Sequence, residues 1–269
     1  GLDRLPIDRL PAVSLRGGAA AGERALASFL SGRLGRYHED RGHPDEGGAS
    51  GLSPWLHFGH LSAVEVVSAV VDAEGWSPAR ARRAETGKRE GFWGMTPGAE
   101  AFLDELVTWR ELGHVYCHAR EDHDDYDTLP EWALATLERH RGDVRPKVYG
   151  LEQLEGARTH DPLWNAAQRE LVREGRIHNT VRMLWGKKVL EWSPSPREAW
   201  DVLFHLNNKY AVDGRDPNST SGISWTFGRF DRAWGPERPI FGTVRYMTSE
   251  NMARKVHLKE WLRRNGGGR

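Results

Sequence analysis

The stretch "WNAAQRELVREGRIHNTVRMLWGKKVLEW", residues 164–192, holds three of the twelve tryptophans in this 269-residue chain. Trp185 and Trp192 are seven residues apart, nearly two helical turns, so both lie on one face of a helix about 10 Å apart along its axis. Trp164 precedes Gly175 by eleven residues, and a reversal at Gly175 would make the flanking helices antiparallel. The three indoles could then form a line from interior to surface. The alternative, which spacing alone favours, is that they only fill a core.

A helical hydrophobic period also dominates most of the remaining chain. Ser53 is expected to cap one helix, with Pro54 at its first position. Alternating β-branched runs bounded by turns are nearly absent, so the predicted fold class is all-α. The predicted helices span residues 22–41, 54–73, 97–120, 130–141, 161–174, 177–192 and 196–211.

The chain ends and one internal stretch lack this period. We expect a flexible N-terminal segment at 1–20, one helical domain at 21–264 and a mobile tail at 265–269. Residues 213–249 are rich in Gly and Pro, which predicts an ordered loop around a functional site.

The composition, 38% hydrophobic and 28% charged residues, is typical of a soluble globular protein. No apolar run approaches the ~20 residues of a membrane span, and the first residues lack the apolar core of a signal peptide. The single cysteine, Cys117, excludes intramolecular disulfides and fits a reducing compartment. We therefore expect a cytoplasmic protein, associated with the nucleoid if it is bacterial.

Charge is segregated along the chain although its formal sum is zero. Residues 227–269 carry ten Lys and Arg against four Asp and Glu, and residues 76–93 carry five against two. Nucleic-acid binding through overall positive charge is excluded, and any basic surface must be local. His114 and His118 have the spacing of a metal-binding pair, but no third ligand follows at a convincing spacing, and no metal is expected.

Five motifs together resemble the flavin-binding domain of the DNA photolyases, most closely the class II cyclobutane pyrimidine dimer photolyases. The resemblance extends from Tyr37 to Met247 and implies an enzyme in which reduced FAD, excited by blue light, passes an electron to a pyrimidine dimer in DNA. It also implies an electron relay in which Trp185 lies nearest the flavin, Trp164 is intermediate and Trp192 is outermost. The motifs are "SGLSPWLHFGHLS" (50–62), "FLDELVTWREL" (102–112), "WNAAQ…VRMLWGKKVLEW", "LNNKYAVDGRDPN" (206–218), and "DRAWG" with "FGTVRYM" (231–247).

The resemblance assigns the cofactor site to two regions. The FAD diphosphate would lie at the "ASGLSP" segment, where glycine permits close approach and a helix N-terminus favours an anion. Arg182 and Asp213 would form an ion pair beside the flavin ring and Asn207 would face its N5 atom. The residues expected to contact FAD are Tyr37, Ser50, Gly51, Leu52, Ser53, Arg182, Asn207 and Asp213.

The resemblance also assigns a pocket for a dimer that has flipped out of the duplex. Glu105 and Trp109, four residues apart on one helical face, would hydrogen-bond and stack with the dimer. Trp234 and Arg245 would fill the gap left in the duplex. The facing residues would be Asn179, Met183 and Trp225.

Full-length photolyases carry an α/β domain, often with an antenna chromophore, before this region. Only about 36 residues precede Tyr37 here, so that domain and an antenna chromophore are not expected on this chain. The expected partner is UV-damaged DNA, without a membrane and with the protein as a monomer. The alternatives are a cryptochrome-like photoreceptor without repair activity and a helical DNA-binding module that has lost its flavin.

Overall fold

The computed structural model describes Arg4, residues 10–82 and residues 91–267. Within these residues the chain is helical and forms no strand, only an isolated bridge between Arg238 and Gly242, so the all-α prediction is confirmed. The helices are α1 (Ala19–Gly32), α2 (Tyr37–Asp40), α3 (Ser53–His57), α4 (Ala63–Ala73), α5 (Pro97–Leu103), α6 (Arg110–Ala119), α7 (Glu131–Arg139), α8 (Leu151–Glu155), α9 (Pro162–Glu174), α10 (Asn179–Trp192), α11 (Pro196–Tyr210), α12 (Pro217–Thr226), α13 (Ser249–Lys255) and α14 (Lys259–Asn265).

The predicted reversal between α9 and α10 is present. The Asp161 carboxylate caps the first turn of α9, and Gly175 ends the helix in the left-handed conformation at φ 67°. A Cβ at Gly175 would lie 2.4 Å from Val212 Cγ2, so only glycine fits this turn. The start of α9 meets the end of α10 through the Trp164 and Trp192 rings, which makes the two helices antiparallel.

Two predicted helices are each broken. The predicted 22–41 helix begins earlier, at Ala19, and is interrupted at Arg33. The predicted 54–73 helix is split into α3 and α4 because Gly59 adopts φ 68° and Ser62 starts α4 with a capping box to Glu65. Ser53 does not cap α3, since Leu52 occupies that position without a side-chain bond and Ser53 is already helical.

The predicted 97–120 helix is continuous but contains a π-helical segment, Asp104–Trp109, between α5 and α6. The wider turn places Trp109 Nε1 3.1 Å from the Asp104 carboxylate, five residues earlier. This hydrogen bond therefore pairs Trp109 with Asp104 and not with Glu105. Such π-helical segments occur frequently at functional sites.

Parts of the predicted chain ends and of the Gly/Pro-rich stretch have local structure. Residues 213–249 contain α12, which the Asp216 carboxylate caps. Asn265, expected in a mobile tail, is buried in α14, and its backbone oxygen accepts a bond from Arg169. In the segment 10–18, the Arg16 carbonyl accepts a bond from Trp55 Nε1. The rest of the predicted ends, at 1–3, 5–9 and 268–269, lies outside the described residues.

Two groups of buried hydrophobic residues form the interior. The larger surrounds α9, α10 and α11 and contains the tryptophans at 164, 185, 192, 200 and 261. The smaller joins α1, α4 and α5 around Phe29 and Phe102. Helix α6 packs on α12 so closely that a Cβ at Gly113 would lie 2.8 Å from Ser221 Oγ, which brings the "FLDELVTWREL" helix beside the helix that carries Trp225.

Candidate functional site

A small cavity lies between α10, α11 and α12. Arg182 and Trp185 reach it from α10, and Asn207 reaches it from α11. The Asn207 side chain is 3% exposed and donates to Asn208 Oδ1 at 3.1 Å, which fixes its orientation. The structure thus brings a cation, an amide and an indole from three separate predicted positions to one cavity. The remaining lining residues are Gly186, Leu203, Ser219, Gly222, Ile223 and Thr226.

The predicted ion pair between Arg182 and Asp213 is not formed among the described residues. Asp213 does not line the cavity, and its backbone oxygen accepts a bond from Ser219 Oγ at 3.0 Å. Both side chains are only half-buried, so water can hydrate each charge and burial does not force them to pair.

The three tryptophans of the α9–α10 unit, the indole line, are in contact in the predicted order. The Trp164 and Trp185 rings are stacked at 6° with centroids 6.4 Å apart. The Trp164 and Trp192 rings meet edge-to-face at 5.7 Å. Trp185 borders the cavity. All three are at least 97% buried. The expected line from interior to surface therefore does not end at Trp192, which itself lies below the surface.

Two residues that sequence reasoning missed extend the line outward. The Trp192 ring contacts Tyr149 at 5.5 Å and His160 at 5.2 Å. Tyr149 Oη and His160 Nδ1 are 2.7 Å apart, and His160 is exposed. Neither residue belongs to a periodic helix, so no pattern in the sequence places them beside Trp192.

Hydrogen bonds hold the two inner indoles in place. Trp164 Nε1 donates to the backbone oxygen of Trp185 at 3.0 Å. Trp185 Nε1 donates to Gln168 Oε1, also at 3.0 Å. Gln168 was also missed, because a polar residue inside a predicted helix resembles a solvent-exposed position.

The "ASGLSP" segment gathers positive charge. Arg33 donates to the Ala49 carbonyl at 2.8 Å. A Cβ at Gly51 would lie 3.7 Å from Arg176 Nη1. Burial, and then the charge of Arg176, lower the pKa of Arg33. Neither guanidinium forms an ion pair with a carboxylate within the described parts of the chain. Because α3 has only five residues, these side chains, more than the helix, supply the positive charge here. Ser50 and Leu52 lie in the same segment.

Tyr37 and Glu105 are joined by Arg41. Arg41 forms an ion pair with the Glu105 carboxylate, and its guanidinium lies 5.5 Å over the Tyr37 ring. Burial, followed by the charge of Glu105, raises the pKa of Tyr37 to about 12. The Tyr37 ring also packs on Phe29 and Phe102, so it contributes to the smaller core.

Cations and indoles alternate along the end of α12. Lys187 Nζ lies 4.6 Å over the Trp225 ring, and the Arg245 guanidinium lies 5.4 Å from Trp225 and 4.1 Å from Trp234. Asp231 accepts bonds from Arg245 Nε at 2.9 Å and Trp234 Nε1 at 3.1 Å. Three predicted substrate residues, Trp225, Trp234 and Arg245, are therefore assembled by contacts with Lys187 and Asp231.

The other predicted substrate residues occupy separate places. Met183 lies half-buried on α10, next to Arg182, and Asn179 is exposed at the start of that helix. Trp109 is half-buried at the end of the π-helical segment. Their common membership of one pocket remains a prediction.

No family model matches the chain. The deoxyribodipyrimidine photo-lyase of Methanothermobacter thermautotrophicus is 39% identical over 264 residues, 98% of this chain and 54% of the relative. Proteins of the same name from Oryza sativa subsp. japonica and Potorous tridactylus are 40% and 39% identical over 91% and 92% of this chain. The chain spans about half the length of the curated relatives that it matches.

Two solved structures share the fold. A class III photolyase from Agrobacterium tumefaciens has a TM-score of 0.63, with 20% identity over 92% of this chain and 44% of its own. A cryptochrome from Synechocystis has a TM-score of 0.60, with 18% identity over 97% of this chain and 48% of its own. The relatives support membership of the photolyase/cryptochrome family.

Members of the photolyase/cryptochrome family are generally FAD-dependent, and residues around the α9–α10 turn fit an anionic cofactor. Both ring nitrogens of His178, which precedes α10, are buried and have no hydrogen-bond partner among the described residues. Burial, followed by the charges of His43 and Arg176, lowers the pKa of His178 to about 4. A neutral imidazole has one N–H donor and one acceptor nitrogen, so a ribityl chain could satisfy both atoms and a diphosphate could bind the donor together with the Arg176 guanidinium.

The features of a metal site and of a membrane span are absent from the described residues. Over residues 10–82 and 91–267 no group of three His, Cys, Asp or Glu side chains converges to hold a metal. None of the helices described combines the length and the apolar character that crossing a bilayer requires. The basic stretch 76–93 lies partly outside the described residues, and its two ends are joined by Trp76 Nε1 donating to the Trp93 carbonyl at 2.5 Å.

Proposed function

We propose that this chain is the catalytic part of a class II photolyase that repairs cyclobutane pyrimidine dimers in UV-damaged DNA. The observation that carries the proposal is the indole line, because its inner member, Trp185, borders the same cavity as Arg182 and Asn207. Reduced FAD, when bound, would absorb blue light and supply the electron that splits the dimer.

The cavity residues would bind and orient the cofactor. The Arg182 guanidinium would favour an anionic ring beside it through direct attraction of opposite charges. The Asn207 amide can donate or accept a hydrogen bond as the protonation of its partner changes. Arg33, Arg176 and His178 would bind the diphosphate end. Asp213 would join this site only if its side chain turned toward Arg182.

The indole line would bring electrons to the cofactor from outside. The ring centroids are 5.7 and 6.4 Å apart. An electron could therefore pass from ring to ring without crossing aliphatic side chains. Trp192 meets Tyr149 and the exposed His160, which would connect the line with solvent. A chain of aromatic contacts that ends at a cavity has the arrangement that an electron relay needs.

The residues at the end of α12 would receive the lesion. A flipped dimer needs an aromatic wall and a filler for the gap in the duplex. Trp225 would supply the wall, and Trp234 with Arg245 the filler. Glu105 would bind a base edge while sharing its carboxylate with Arg41, so its charge would remain balanced when the dimer enters.

The test is repair of an oligonucleotide that carries one thymine dimer. Protein loaded with FAD and chemically reduced should remove the dimer under blue light. Trp185→Phe should slow light-driven reduction of bound FAD and leave repair by chemically reduced protein intact. Trp76→Phe, which is outside the indole line, is the matched control and should behave as the unaltered protein. Protein that cannot take up FAD would overturn the proposal.

A cryptochrome-like photoreceptor is the second candidate. The ion pair between Arg41 and Glu105 favours it, because the carboxylate expected to read the dimer already has a partner. In that case FAD would bind and be reduced in light, while the dimer would stay untouched.

A further inference from the structure

Gln168 is a buried polar side chain in α9, next to the indole line. Its exposed fraction is 0%, and its Oε1 atom accepts the hydrogen bond from Trp185 Nε1. Its Nε2 atom has no partner among the described residues. A buried donor without a partner is destabilising, so Gln168 supplies the acceptor for Trp185 at a cost in stability.

Both inner indoles donate to oxygen atoms that do not take up protons. Trp185 donates to the Gln168 amide and Trp164 donates to a backbone carbonyl. Neutral amide oxygens accept hydrogen bonds but are not bases near neutral pH. The two rings are at least 97% buried, so bulk water is not an alternative acceptor.

The outer end of the indole line differs in this respect. The Trp192 ring lies 5.2 Å from the His160 ring, and His160 Nδ1 is 2.7 Å from Tyr149 Oη. An imidazole can accept a proton, whereas an amide cannot. Proton acceptors are thus arranged asymmetrically along the line, at its outer end and not beside Trp185 or Trp164 in the described part of the chain.

We propose that Gln168 is a positioning residue that keeps the Trp185 indole protonated when Trp185 gives up an electron. The inference rests on the proposed function, in which Trp185 is the donor nearest FAD. Loss of one electron makes the indole a radical cation, a much stronger acid than the neutral ring. With Gln168 as acceptor the N–H bond is retained and no proton leaves. One electron then moves from Trp164 to Trp185, and one from Trp192 to Trp164. An external thiol gives one electron to Trp192 and is oxidised, so the net transfer is one electron from the thiol to FAD, and two thiols oxidised in this way end as a disulfide.

The first test does not need the cofactor. In FAD-free protein with ¹⁵N-labelled indoles, the Trp185 N–H signal is identified by its loss in Trp185→Phe. Gln168→Met, which is similar in size but has no acceptor oxygen, should shift that signal and speed its exchange with deuterium oxide. Gln153→Met, the same change on the exposed α8, is the control and should leave it unchanged. An unchanged signal in Gln168→Met would overturn the inference.

The second test follows the tryptophan radical after a light flash in FAD-loaded protein with an external thiol. Gln168→Glu offers a carboxylate to the same indole, so the neutral Trp185 radical should replace the protonated one. The effect should grow with pH because burial raises the carboxyl pKa. The yield of reduced FAD should fall, because a deprotonated Trp185 radical cannot take an electron from Trp164 and return to the neutral indole unless a proton comes back with it. A wild-type radical spectrum and yield in Gln168→Glu would refute the role of Gln168.

Failure of the two proposals can be told apart. If Trp185→Phe reduces FAD as fast as the unaltered protein, the relay itself is wrong and the role of Gln168 falls with it. If Trp185→Phe is slow but both Gln168 variants behave normally, the relay stands and only the inference on Gln168 is refuted.

Discussion

Lys187 is a buried basic residue whose effect on the free energy of unfolding can be measured through its pH dependence. Its side chain is fully buried, and Nζ donates to the Thr226 carbonyl at 2.5 Å and lies over the Trp225 ring. No carboxylate forms an ion pair with it in the described residues. Burial lowers the pKa of Lys187 from 10.5 to about 7, with Asp231 opposing the shift and Arg245 adding to it.

The direction of the pH dependence follows from this pKa. Between about pH 7 and pH 10 the unfolded chain binds a proton at Lys187 that the folded chain does not, so stability rises with pH. A difference of about 3.5 pKa units corresponds to roughly 5 kcal/mol across that range. Lys187→Met removes this contribution, along with a hydrogen bond worth about 1–3 kcal/mol and a cation–π contact worth about 0.5–2 kcal/mol.

We therefore expect Lys187→Met to be at least as stable as the unaltered protein near pH 6. Between about pH 7 and pH 10 the variant should lose about 1.4 kcal/mol relative to it for each pH unit. Urea unfolding at a series of pH values measures this difference in the free energy of unfolding. The slope of that free energy against urea concentration should be the same for both proteins. Lys188→Met is the neighbouring control, since Lys188 pairs with Glu191 at 2.7 Å. A Lys187→Met difference that does not change between about pH 6 and pH 10 would refute the reasoning.

Three further predictions concern the site and its supports. Gly175→Ala should destabilise the fold by about 2–4 kcal/mol, because of the left-handed backbone and the contact with Val212. Gly142→Ala is the control and should change stability in urea little, since a Cβ there would have no atom within 4 Å. His178 should stay neutral in the folded protein down to about pH 4, so stability should fall as pH drops from about 6.5 to 4, and His178→Gln should remove that part of the pH dependence in the same unfolding assay. Asp231→Asn should release the Arg245 guanidinium and weaken binding of dimer-containing DNA by about tenfold in a fluorescence anisotropy titration, whereas unchanged affinity would exclude Asp231 as a support of that surface.

The sequence predicts helices well where apolar periodicity and caps agree. The helices α9, α10 and α11 have both, and their bounds differ from the prediction by two residues at most. The prediction of one continuous helix at 54–73 was wrong because the apolar pattern continues through Gly59. The sequence did contain the signal for a new helix start, the capping box of Ser62 and Glu65. Helix α12 was missed because its residues are small and polar, without a hydrophobic period. It is stabilised instead by close packing on α6.

The same contrast applies to the candidate site. Helical spacing and one glycine showed only that the three rings of the indole line could meet, and their order along it came from the family resemblance. Contacts between loops, such as that of Tyr149 with Trp192, depend on packing at long sequence separation and leave no periodic signal. The ion pair expected from Arg182 and Asp213 is absent because half-buried charges need no partner, and that is a property of burial that spacing does not reveal.

One helix supports both halves of the proposed chemistry. Nine of the fourteen residues of α10 are buried, which is typical of a helix enclosed by neighbours on every side. Trp185 and Trp192 face α9, whereas Gly186 and Lys187 face α12, where a Cβ at Gly186 would lie 2.5 Å from Thr226 Oγ1. The distance from the indole line to the Trp225 wall is therefore set by the width of a single rigid element. Gly186 and Thr226 also line the cavity that holds Arg182 and Trp185, so Gly186→Ala, which pushes α12 away, should impair both dimer binding and light-driven reduction of FAD. Loss of dimer binding with normal reduction of FAD would show that the two faces of α10 are independent.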